Sequence, residues 1–96
     1  MTPDMQKKIA RAAAALKAYG ATEVYLFGSL AEGRFTRHSD IDMAVRGLPP
    51  EKFFHAMGET MEVLGRPFDL VDLDDGSALA RHLTEKNLLV NTESIS

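Results

Sequence analysis

One stretch, from Gly28 to Asp42, limits most strongly what this chain can fold into. An apolar run stops at Gly28-Ser29, and ten residues later Asp40 and Asp42 stand on either side of Ile41, directly before a second apolar run. Side chains two apart on a strand point to the same face, so the two carboxylates face together while Ile41 enters the core. The stretch predicts two strands joined by a short connection, with an acidic pair at the start of the second strand.

The acidic pair indicates a cation site. Two adjacent carboxylates repel each other, and a bound cation relieves that repulsion. Mg²⁺ prefers oxygen ligands and binds through one or two carboxylates together with water and substrate phosphates. Asp40 and Asp42 are therefore candidate metal ligands.

Ser29 and Glu32 fit the Ser-x-x-Glu capping box, which predicts a short helix over residues 30–34 with Ser29 as its N-cap. The N–H groups at a helix N-terminus favour phosphate. A phosphate site beside a metal pair describes a site for a nucleoside triphosphate, and Gly28 allows the backbone to approach the phosphates closely.

The chain resembles the minimal nucleotidyltransferases of the DNA polymerase β-like superfamily. The resemblance lies in the Gly28-Ser29 pair, the Asp-Ile-Asp at 40–42 and Asp69 at the start of a third apolar run. The resemblance extends from residue 22 to about residue 89. It implies a metal-dependent enzyme that transfers AMP from ATP, with Asp40, Asp42 and Asp69 as catalytic residues and as ligands of two Mg²⁺ ions.

The resemblance also implies a partner. Small proteins of this family commonly act as antitoxins that transfer AMP to a tyrosine of a HEPN-family toxin. Two alternatives stay open: a weak or inactive binding antitoxin that only docks on its partner, and a nucleotidyltransferase that acts on a small molecule.

The loop after Ser29 offers two basic candidates for contact with the triphosphate, Arg34 and Arg37. Gly28 and Gly33 have the spacing of a P-loop, but Arg34-Phe35 stands where that motif needs Lys and Ser/Thr, which excludes it. Glu32 departs from the family pattern, in which a basic residue is common at this position, and favours the binding-only alternative.

Asp69 and Asp72 are both candidates for the third carboxylate of the site. Because they point to opposite faces of one strand, only one of them can face Asp40 and Asp42. The resemblance selects Asp69. The three histidines, His38, His55 and His82, do not have helix-face metal spacing.

The chain of 96 residues is expected to form one domain, 1–96, with a flexible polar tail at 91–96. A net charge of −3 gives no basic footprint for direct binding of nucleic acid. The absence of cysteine, of a signal-peptide pattern and of a long apolar run predicts a cytoplasmic protein without a membrane segment.

Helical spacing and turn residues predict helices over 3–19, from about 53 to 64, and after Ser77, with strands at 23–28, 41–46 and 68–73. The order predicts an α/β fold: a small mixed sheet of three to four strands flanked by helices, as in the polymerase β palm. The side chains of the middle helix that are expected to face the core are Phe53, Phe54, Met57, Met61 and Leu64. Those of the last helix are Leu79, Leu83 and Leu88.

Overall fold

The computed structural model describes residues 1–95, which form four α-helices and a four-stranded sheet. The helices are α1 (Pro3–Ala18), α2 (Gly28–Ala31), α3 (Phe53–Leu64) and α4 (Ala78–Glu85), and the strands are β1 (Glu23–Phe27), β2 (Ile41–Arg46), β3 (Phe68–Asp72) and β4 (Val90–Asn91). Short 3-10 helices cover Pro50–Lys52 and Thr92–Ser94. Within residues 1–95, no helix combines the length and apolar content needed to cross a membrane.

The sheet is mixed, in the order β3-β2-β1-β4. The short connection through α2 pairs β1 with β2 antiparallel, whereas the crossover through α3 makes β2 and β3 parallel. Strands β2 and β3 therefore begin at the same edge of the sheet, and β1 ends at that edge. The prediction of a small mixed sheet is confirmed.

Helices cover both faces of the sheet. On one face, α1 and α3 pack on a core that contains the fully buried Leu16, Leu26 and Met43. On the other face, α4 places Ala80 and Leu83 against Ala44 and Leu73. The N-terminus of α1 begins as predicted, because Thr2 Oγ1 accepts a hydrogen bond from the Met5 N–H at 3.1 Å.

The predicted inner face of α3 was partly wrong. Phe54 is 78% exposed and Met61 is 42% exposed, while Ala56 and Thr60 lie at the core beside Leu64. Small side chains let the α3 backbone approach α1 closely. The Thr60 hydroxyl is accommodated because it donates to the Ala56 carbonyl oxygen at 2.7 Å.

The predictions for the chain end also need correction. Ser77 caps α4 as expected, but Leu79 and Leu88 are 48% and 40% exposed, so only Leu83 of the predicted stripe is buried. Strand β4, which pairs with β1, extends into the segment expected to be a flexible tail, and a 3-10 helix follows it there. The Thr92 hydroxyl anchors it by donating to the Val24 carbonyl oxygen at 3.0 Å. Ser96, the last residue of the predicted tail, lies outside the described residues.

Candidate active site

Three aspartates lie along the edge of the sheet where β2 and β3 begin, near enough for their charges to interact. In the parallel pair Asp42 lies directly opposite Asp69, and Asp40 comes immediately before β2. On its other side Asp42 lies opposite Phe27, the last residue of β1. The crossover through α3 fixes this register, so residues 27 positions apart in the chain become neighbours.

The carboxylates interact electrostatically. Partial burial raises the pKa of the Asp42 carboxyl above its usual value, and the negative charges of Asp69 and Asp40 raise that pKa further. A positive ion placed among these groups would oppose all three effects. The cluster therefore has the oxygen donors and the excess negative charge that a divalent cation requires.

Gly28 borders the carboxylate cluster on the side of β1. Its φ of +72° belongs to the left-handed region, and a β-carbon at this position would collide with Oδ2 of Asp42 and stand 3.2 Å from Cγ. Both the conformation and the space therefore require glycine. The turn at Gly28 keeps the backbone next to the carboxylate.

The prediction that Ser29 caps the following helix was wrong. Helix α2 spans Gly28–Ala31 and so begins two residues earlier than predicted, and no side chain caps it; the N-cap residue is Phe27, in extended conformation. The glycine takes the positive φ that turns the chain, so the helical turn starts before Ser29 and its hydroxyl has no capping role. Ser29 still lies in the first turn of α2, next to the residue that contacts Asp42.

Glu32, the expected second partner of the capping box, forms an ion pair with Arg34 instead, at 3.1 Å between Oε1 and Nη2. Both side chains are more than half exposed, so this pair contributes little to stability. The pair nevertheless places a negative charge against one of the two predicted triphosphate contacts.

Arg37, the other predicted contact, lies in a loop that Arg66 holds in place. Arg66 Nη2 donates to the carbonyl oxygens of Arg37 at 2.9 Å and of Ser39 at 2.7 Å, and its guanidinium carbon lies 4.7 Å from the centre of the Phe35 ring. Inside the loop, the Thr36 N–H donates to Ser39 Oγ at 3.1 Å. Because Ser39 precedes Asp40, Arg66 helps to fix one of the three carboxylates.

Sequence reasoning overlooked Arg66. Its partners lie 27 and 29 residues away in the chain, and a lone arginine before a proline has no local pattern that reports such contacts. Only its position, three residues before Asp69, places it near the predicted site in the sequence.

Comparison with known proteins identifies the family. The sequence profile described as Polymerase beta, Nucleotidyltransferase matches residues 8–95, which is nearly the whole chain. The chain belongs to this nucleotidyltransferase family. No curated protein matches it in a sequence comparison.

Solved structures agree with the fold. A toxin-antitoxin crystallised with AMP-PNP superimposes with a TM-score of 0.70 at 27% identity, covering 91% of this chain and 71% of that chain. A mutant of the toxin-antitoxin MntA-HpeT gives a TM-score of 0.68 at 24% identity, with 91% and 70% covered. A protein described as a minimal nucleotidyltransferase gives 0.75 at 19% identity, with 91% of each chain covered. The small mixed sheet is thus the polymerase β-like nucleotidyltransferase fold.

Nucleotidyltransferases of this kind typically use a nucleotide and a divalent metal, so the fit of the acidic cluster matters. In the described part of the chain, no three Asp, Glu or His side chains are already arranged as a metal-ion site. The donor chemistry nonetheless fits, since the charges of Asp69 and Asp40 both act on Asp42 and the glycine at position 28 leaves no β-carbon against its carboxylate.

Asp72 does not join the cluster. In the parallel register it lies opposite Val45, at the far end of β3, and its Oδ1 accepts a hydrogen bond from the Asp74 N–H at 2.9 Å. Its role is to shape the turn after β3. Of the two aspartates that competed in the sequence, the structure brings only Asp69 to Asp42.

Proposed function

We propose that this nucleotidyltransferase transfers AMP from ATP to a hydroxyl group of a partner protein. The observation that carries the proposal is the pairing of Asp42 with Asp69 beside the Gly28 turn. This arrangement joins a carboxylate cluster for divalent metal to a stretch of backbone that phosphates can approach. Gly28, Asp42 and Asp69 are far apart in the chain and come together at this edge of the sheet.

Asp40, Asp42 and Asp69 would hold two Mg²⁺ ions, which when bound neutralise phosphate charge and lower the pKa of the acceptor hydroxyl. Asp69 accepts the hydroxyl proton. The hydroxyl oxygen forms a bond to the α-phosphorus of ATP, the bond from that phosphorus to the bridging oxygen of the β-phosphate breaks, and pyrophosphate leaves with the electron pair.

The residues around Gly28 bind the rest of the nucleotide. The backbone at Gly28 and Ser29 lies against the phosphates, because the first turn of α2 has no side-chain cap to compete for its N–H groups. Arg34 completes the nucleotide site as a cation on the adjoining loop, whereas Arg37, the other predicted triphosphate contact, lies with Lys8, Asp40 and Arg66 on the side of β3. ATP is the proposed nucleotide because a relative at 27% identity was crystallised with AMP-PNP, an analogue of ATP.

The acceptor is proposed to be a tyrosine of a toxin, of the HEPN type that the sequence resemblance implies. The same relative is a toxin-antitoxin, and this chain would then be the antitoxin. Because ATP is the proposed substrate, we expect the reaction to take place in the cytoplasm.

One observation favours a second candidate, a binding antitoxin without catalysis. The Glu32–Arg34 ion pair places a negative charge where a triphosphate would bind. Because both side chains are exposed, the pair is weak and a triphosphate would compete successfully for Arg34. We therefore favour the catalytic proposal.

The position of the transferred phosphorus tests the chemistry. The protein, its cognate toxin and Mg²⁺ are incubated with ATP labelled with ³²P at either the α or the γ position. The proposal predicts label on the toxin from α-labelled ATP only, with release of one pyrophosphate per transfer. Transfer from γ-labelled ATP would identify a kinase, and no transfer from either would favour the binding antitoxin.

A further inference from the structure

A basic cleft opens beside the carboxylate cluster. It has a volume of about 400 Å³ and lies between the N-terminal half of α1, the loop before β2 and the turn that joins α3 to β3. Its charged and titratable lining is Lys8, Arg37, Arg66, His38 and Asp40. Three permanent cations therefore face one carboxylate, in a protein whose net charge is −3. The local charge is opposite in sign to that of the whole molecule.

The cleft and the proposed phosphate site lie on opposite sides of Asp42. Strand β2 stands between β1 and β3, and Gly28 follows β1. The cleft adjoins the start of β3, where the Pro67 carbonyl oxygen accepts a hydrogen bond from the Ile41 N–H at 3.5 Å. A nucleotide held at Gly28 therefore leaves the cleft open, on the side where Asp69 would receive the acceptor hydroxyl.

We propose that this cleft binds the acceptor segment of the partner protein and selects a hydroxyl flanked by Asp or Glu residues. The inference rests on the proposed function for the direction of transfer, but the binding it describes does not require catalysis. Carboxylates of the acceptor segment pair with Lys8 and Arg37 at the rim and bring the hydroxyl to the acidic cluster. Complementary charge of this kind raises the association rate and fixes the register of binding.

The surroundings favour a protein segment over nucleic acid. Binding of single-stranded nucleic acid uses aromatic rings on which bases stack. The cleft lining contains no Phe or Tyr, and the Phe35 ring, which contacts the lining residue Arg66, is covered by its guanidinium at 4.7 Å. A cleft of about 400 Å³ with three cations also lacks the extended basic groove that follows a phosphate backbone.

The test measures binding of short fluorescein-labelled peptides by anisotropy at low ionic strength, without ATP or metal. Each peptide has one tyrosine, flanked by glutamate, serine or lysine. The proposal predicts that the glutamate peptide binds at least about tenfold more tightly than the serine peptide, and that salt weakens it. The Lys8→Glu variant should lose about fivefold in affinity for the glutamate peptide.

Lys7→Glu is the matched control, because Lys7 is the exposed neighbour of Lys8 in α1 and does not line the cleft. It should retain wild-type affinity.

Equal binding of the glutamate and serine peptides, or equal losses in both variants, would overturn the proposal. Tighter binding of a single-stranded oligouridylate, lost in Lys8→Glu, would assign the cleft to nucleic acid. An equal loss of Mg·ATP affinity in Lys8→Glu would assign it to the nucleotide. A failure of AMP transfer alone would contradict the proposed function and leave this binding result standing.

Discussion

Gly28 lies so close to Asp42 that a β-carbon at position 28 would collide with the Asp42 carboxylate, so no other residue fits there without moving that carboxylate. Gly28 directly follows β1, and Asp42 belongs to β2. Their contact places the backbone that is proposed to bind phosphates next to the central carboxylate of the cluster. Sequence spacing alone shows two separate features, a Gly-Ser pair and an acidic pair. In the structure the glycine of the first feature lies against the second carboxylate of the acidic pair.

Replacing Gly28 by alanine should therefore disturb both stability and the site. We expect the change to cost at least about 1 kcal/mol from the left-handed conformation, with a further loss because Asp42 is displaced. Gly33→Ala is the matched control, since Gly33 has a similar φ of +77° but no atom within 4 Å of the position that a β-carbon would take. Chemical denaturation measures both variants. Equal losses of unfolding free energy would show that the contact with Asp42 has no cost.

Removing the charge of Asp42 should stabilise the protein without ligands at neutral pH. The folded-state pKa of Asp42 lies above the ordinary value of 3.8, so the folded protein binds more protons than the unfolded chain between those two pH values. Stability therefore falls as the pH rises through that window, and the cost persists above it. Asp42→Asn should raise the melting temperature at pH 7, and the gain should disappear below pH 3.8.

Asp75→Asn provides a control of opposite sign. The Asp75 carboxylate accepts a hydrogen bond from the Ser77 N–H at 2.8 Å, and hydrogen bonds from Ser77 lower the pKa of Asp75. Neutralising Asp75 should give no gain in melting temperature at pH 7. A gain for Asp42→Asn that stays constant down to pH 3 would contradict the electrostatic explanation.

Arg66 should control the order of the loop before β2. We expect Arg66→Ala to lower the unfolding free energy by about 1–2 kcal/mol, because the carbonyl oxygens of Arg37 and Ser39 lose a charged donor. Amide exchange at residues 36–39 should accelerate more than exchange in β1. Arg66→Lys should restore part of the protection, whereas Arg81→Ala, on the exposed face of α4, should leave it unchanged. Unchanged exchange in Arg66→Ala would show that the loop orders without this side chain.

Asp69 and Asp72 should differ in their effect on turnover. Asp69→Asn should slow AMP transfer at least about 100-fold while Mg·ATP affinity changes by less than about threefold, because Asp69 serves the acceptor and Asp40 and Asp42 serve the nucleotide. Asp72→Asn should be nearly silent, since an asparagine Oδ1 still accepts from the Asp74 N–H. Steady-state kinetics and calorimetric titration check both quantities. The reverse pattern would show that the third carboxylate has been misassigned.

The meeting of Asp42 and Asp69 was predictable from the sequence, for a physical reason. Two apolar runs separated by a helix of adequate length form parallel neighbours, and parallel strands begin at the same edge. The face of α3 was less predictable: Phe54 and Met61 have the hydrophobicity of core residues, but Ala56 and Thr60 allow closer packing on α1.

Other features depend on contacts that no local pattern reports. Ser29 fits a capping box, yet the chain turns at the positive φ of Gly28 and α2 starts two residues earlier than predicted. Strand β4 has only two residues, and its place is secured by the bond from Thr92 to the Val24 carbonyl oxygen, 68 positions away. Arg66 belongs to the same class. Such long-range hydrogen bonds exist only once the chain has folded.

The intact mass of the cognate toxin tests the central claim most directly. After incubation of purified protein and toxin with ATP and Mg²⁺, each AMP transfer should add about 329 Da to the toxin, as the chemistry of adenylyl transfer requires. The protein with both Asp40 and Asp42 replaced by asparagine should add nothing and should leave the toxin active. If the wild-type protein neutralises the toxin with no change in mass, and the double variant neutralises it equally well, the protein acts by binding and the catalytic account is wrong.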